Sequence, residues 1–81
     1  QDQQIESARK KITTGDYTGA KTELSKLLDS NPKNKVAFRL RAEARMGLTD
    51  FYGAIADLTF AIELDSTFAE AYWYRGEAKA A

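Results

Sequence analysis

Gly15-Asp16-Tyr17-Thr18-Gly19-Ala20 is matched without a gap by Thr49-Asp50-Phe51-Tyr52-Gly53-Ala54, thirty-four residues later. Asp16 falls on Asp50, Tyr17 on Phe51, Gly19 on Gly53 and Ala20 on Ala54. A fixed period of that size implies one supersecondary unit, repeated and stacked. The chemistry of the stretch identifies the unit. A glycine after a helical run takes the left-handed backbone that ends a helix, and an aspartate opens the next helix by accepting a hydrogen bond from a free amide. A connection this short forces the two helices to lie antiparallel.

Apolar residues on both sides recur at helical spacing. Ile5, Ala8 and Ile12 form one face before the turn, and Tyr17, Ala20, Leu24, Leu27 and Leu28 form one face after it. Pro32 ends that second helix, because it lacks the backbone donor and pushes Asn31 out of helical geometry. A third helix carries Ala37, Phe38, Leu40, Ala44 and Met46; a fourth carries Phe51, Ala54, Ile55, Leu58, Ala61 and Ile62. After a break at Asp65-Ser66-Thr67, a fifth carries Tyr72, Trp73 and Gly76. The expected helices cover residues 2–14, 17–30, 35–47, 51–64 and 68–80. The period persists into the fifth: Ala71 matches Ala37, Tyr72 matches Phe38, Arg75 matches Arg41, Glu77 matches Glu43 and Ala78 matches Ala44. The fold class is therefore all-α, an α-solenoid of antiparallel helix-turn-helix repeats, with packing between chain neighbours and none of the first helix on the fifth.

Eighty-one residues make one small domain, short for a core built around a separate catalytic cleft. There is no cysteine and no histidine, so Ser-His and Cys-His nucleophilic catalysis and the usual zinc sites lack their residue types. The carboxylates lack calcium-loop spacing, and Gly15 and Gly19 are not followed by the lysine and hydroxyl of a phosphate loop. No enzyme activity, catalytic residue, metal or cofactor is expected. Twelve basic residues balance twelve acidic ones, which argues against nucleic acid as the partner. Arg39, Arg41 and Arg45 do not alter that reading, because residues two apart on a helix face different ways and Glu43 sits among them. No apolar run is long enough to insert into a membrane.

The pattern resembles the tetratricopeptide repeat, and the resemblance covers essentially the whole chain. Phe38 and Tyr72 take the family's opening aromatic place, and Ala42 and Gly76 its small place. Ala20 and Ala54 take the alanine, Leu24 and Leu58 the following large residue, Ala61 the later small one and Pro32 the closing proline. The resemblance divides the chain into repeat one at 1–34, repeat two at 35–68 and the first helix of repeat three at 69–81. The first helix departs from the pattern, with Gln4, Ser7 and Lys11 in place of large residues, and is expected to act as a polar cap. Arg41 and Arg75 stand where leucine is usual. A charge inside a hairpin needs a partner, and Asp57 is the candidate for either arginine; the alternative is that both snorkel to solvent.

The resemblance implies a noncatalytic protein interaction scaffold that receives a partner peptide or helix in a concave groove lined by the first helix of each repeat. By repeat position that wall carries Ile5, Arg9 and Ile12, then Val36, Arg39, Glu43 and Met46, then Glu70, Trp73 and Glu77. With Tyr72 in the core aromatic place, Trp73 is expected to turn toward the groove, the alternative being that it packs on the end of the stack. The basic clamp by which one subgroup holds chaperone tails is missing, since its places hold Ile5, Arg9, Leu40, Glu70 and Tyr74. A second reading is structural. A complete unit would continue into a helix over the side of the fifth that bears Tyr72, Gly76 and Lys79; left open, that side implies a mobile end or a weak homodimer through the fifth helix.

Overall fold

The helices start and stop where local chemistry dictates. The computed structural model describes residues 2–81, and they form α1 (Asp2–Thr13), α2 (Tyr17–Ser30), α3 (Lys35–Gly47), α4 (Phe51–Leu64) and α5 (Ala69–Ala80), with no strand among them. The first repeat as bounded above begins at Gln1, which lies outside the described residues. Gly15 turns the chain out of α1 with φ +87°, a region that penalises a Cβ. Thr49 holds the same place in the second copy at φ 61°, and it does so without glycine's freedom. Asp16 accepts from the Gly19 N–H at 3.0 Å, and Asp50 accepts from the Gly53 N–H at 3.0 Å. Asn34 caps α3 by accepting from the Ala37 N–H at 3.1 Å.

The turn before α5 has no proline and uses side chains instead. Asp65 accepts from the Thr67 N–H at 3.0 Å and from its hydroxyl at 2.7 Å, and pairs with Lys35 across the hairpin. Those contacts hold the Asp65 carboxyl well below the usual carboxylate range, Lys35 first and Thr67 second. Phe68 makes no side-chain cap, and the helix begins one residue later than its apolar pattern suggests.

Each helix packs on its neighbours in the chain, and α1 and α5 do not touch. Packing of this kind, along one direction, is an α-solenoid of helical hairpins. Only α3 contacts all four other helices. Two apolar clusters result: one joins Ala8, Leu24, Leu27, Leu28, Ala37 and Leu40, the other Ala42, Ala54, Leu58, Ala61, Ala71 and Ala78. Phe38 packs against both. Ala20, Ala42 and Ala54 are fully buried, so the small places do set how closely the helices approach. Full burial of Leu24, Leu27 and Leu58 supplies about 1.5–3 kcal/mol each.

Two packing features were not anticipated. The Tyr17 ring lies against Gly47, where an added Cβ would come within 2.6 Å of three ring carbons, so the start of α2 is pressed onto the end of α3. Tyr74 packs into the second cluster in place of Tyr72, which is 44% exposed on the side of α5 expected to be open. Phe38, the counterpart of Tyr72, is covered by the Phe60 ring with centroids 5.5 Å apart, and α5 has no such neighbour on that side.

Candidate interaction groove

A carboxylate clasp closes each hairpin. Asp57, 1% exposed, accepts from Arg41 Nε at 2.9 Å and Nη2 at 2.7 Å, a bidentate pair, and from Arg45 Nη1 at 3.1 Å. Arg41 also donates to the Ser25 hydroxyl at 3.2 Å, tying the pair to the preceding hairpin. Thirty-four residues earlier the same three places hold Glu23, Ser7 and Lys11. The Ser7 hydroxyl donates to Glu23 at 2.9 Å, and Lys11 Nζ lies 3.0 Å from it. Lys11 and Ser7 lower the Glu23 pKa against a smaller opposing effect of burial. The polar first helix is thus a second instance of one design. Of the two expected arginines, Arg41 meets Asp57 and Arg75 does not; Arg75 lies over the Tyr72 ring, 5.4 Å from its centroid.

These clasps fix the hairpins so that α1, α3 and α5 neighbour one another, α3 between the other two. On their common side, Arg39 is 5% exposed and links α3 to α5. It donates to Glu43 at 3.0 Å, its Nε lies 3.2 Å from Glu70, and its guanidinium lies 5.5 Å from the Tyr74 ring centroid. Burial, and then the Glu43 carboxylate, raise the Tyr74 pKa above its ordinary value. Trp73 is 61% exposed and stands edge-on to Tyr74, with centroids 4.9 Å apart.

A depression of about 170 Å³ between α1 and α3 is lined by Arg9, Ile12, Thr13, Leu40 and Glu43. Ile5, Ile12, Val36 and Met46 are half-buried against the apolar clusters. Arg9, Glu70, Trp73 and Glu77 are exposed. The expected wall therefore divides: Arg9, Ile12 and Glu43 share the depression, Arg39 and Glu70 join α3 to α5, and Trp73 stands beside that link. Arg39 acts as a strut, because its guanidinium is already committed to two carboxylates. Sequence reading missed Tyr74, Arg45 and the Glu23 clasp. The signal was present, since Glu23, Ser7 and Lys11 lie one period before Asp57, Arg41 and Arg45.

Among the described residues, no group of three or more acidic, His or Cys side chains could hold a metal ion. No helix there is long and apolar enough to cross a membrane. No protein-family model and no curated protein matches the chain.

Proposed function

We propose that the chain is an array of tetratricopeptide-type repeats, bounded at 1–34, 35–68 and 69–81, acting as a noncatalytic scaffold for a peptide or helix of another protein. The observation that carries this is the side shared by α1, α3 and α5, where Glu43, which lines the depression between α1 and α3, is joined through Arg39 to Glu70 and Tyr74 of α5, and the exposed Trp73 stands against Tyr74. Ile12 and Leu40 offer apolar contact, and Trp73 is the kind of exposed aromatic that anchors partners. Glu43, Glu70 and Glu77 outnumber Arg39 on the α3 and α5 side of the groove, so a segment mixing basic and apolar residues fits it better than an acidic one.

Trp73 is the only tryptophan and reports directly on occupancy. An extended Lys/Leu peptide is expected to shift its emission with a saturable dependence on concentration, and the Glu/Leu peptide of equal length is expected not to. Replacing Glu70 and Glu77 by glutamine should weaken the response by about tenfold. Indifference to both peptides at millimolar concentration would remove the groove reading.

A further inference from the structure

The outer side of α4 carries Tyr52, Ala56, Phe60 and Leu64, one every four residues, all exposed. Tyr52 is 90% exposed, Phe60 50% and Leu64 40%. Residues spaced by four make a single ridge on a helix. The internal repeat supplies the comparison. On α2 the same four places hold Thr18, Thr22, Lys26 and Ser30, also all exposed. The fold itself therefore leaves this ridge in water, and α2 meets water with polar side chains there. Apolar replacement at every place of the ridge on α4 alone is a property of this chain, and an apolar patch of that size is often functional.

We infer that the α4 ridge is the contact through which two copies of the chain associate. A ridge of this spacing packs into the corresponding groove of an identical ridge, and a twofold axis brings the same patch of both copies together. With the axis between Ala56 and Phe60, each phenyl ring enters the notch left by the other copy's Ala56. The ridge carries no charge, and the molecule's net charge of zero opposes no approach of a second copy. The open side of α5 is a worse twofold contact. It bears Arg75 and Lys79 in the two places where Arg41 and Arg45 receive Asp57, so a symmetric pairing would set cations against cations. The ridge exposes on the order of 400 Å² per copy, about half of what a stable standard interface buries on each partner. The dimer is accordingly weak and forms with rising concentration.

Sedimentation equilibrium over a hundredfold range of concentration tests this. The weight-average mass should climb from 9.0 kDa toward twice that value. Phe60 also touches Phe38, so the decisive variants are Ala56→Glu and Tyr52→Lys, at exposed places where helix formation is undisturbed. Each should weaken association by about tenfold or more while the helical circular dichroism stays as in the parent. Lys26→Glu, at the matched place of α2, should leave association unchanged. A mass fixed at 9.0 kDa throughout, or an association that survives both α4 variants, would overturn the inference.

Discussion

At the scale of single residues, the two copies of the turn solve one problem at different cost. Thr49 sits at φ 61° where Gly15 sits at +87°, and a β-branched side chain there is strained. Thr49→Gly is expected to stabilise by up to about 1 kcal/mol, less what glycine's greater unfolded freedom takes back. A lower melting temperature for that variant would contradict the strain. Asp57 is the opposite case. Asp57→Ala removes the buried carboxylate that Arg41 and Arg45 share and should cost about 3–5 kcal/mol, whereas Glu23→Gln in the wetter first clasp should cost less than about 1 kcal/mol. A double-mutant cycle should find Asp57 coupled more strongly to Arg41, its bidentate partner, than to Arg45. Acid pH reads the same groups. Glu23 and Asp65 have depressed pKa values in the fold, so their contribution is complete above their unfolded values and is lost as pH falls through the folded ones. The urea midpoint should therefore decline below about pH 4. Tyr74, with a raised value, works in the other direction, and its contribution is lost above about pH 10.

At the scale of the helices, close approach is the sensitive quantity. Ala54 is fully buried, and Ala54→Leu is expected to overpack the second hairpin by about 1–3 kcal/mol. Gly47→Ala should cost a similar amount, because the Tyr17 ring occupies the space its Cβ would need. Thr18→Ala, on an exposed face, is the control, and equal melting temperatures for all three would mean the contact faces are wrongly assigned. Helix positions were legible in the sequence because caps, glycines and proline act over three or four residues, a range that needs no tertiary knowledge. Asp57 was legible as a partner because a buried charge demands one. Tyr72 shows the reciprocal limit: repeat position gave it the core aromatic place, and the lack of a neighbouring helix on that side, also expected, leaves it exposed. The Tyr17–Gly47 contact joins residues thirty apart, a reach that neither caps nor the spacing within one helix reports.

For the whole molecule, connectivity of contacts governs behaviour. Contacts run mostly between chain neighbours, so folding should be fast and relatively insensitive to loop length. Amide exchange should be slowest in α3, which touches every other helix, and fastest in α1 and α5, each held on one side. Uniform protection across all five helices would show a more cooperative unit than the packing implies. The lack of contact between α1 and α5 has a mechanical consequence as well. No clamp joins the two ends, so a pull on the termini loads the outer helices in a peeling geometry, one interface at a time, and never shears the stack as a block. Such a chain lengthens in steps at low force and recoils by re-laying helices onto α3, which makes it a compliant spring with its anchorage at the centre.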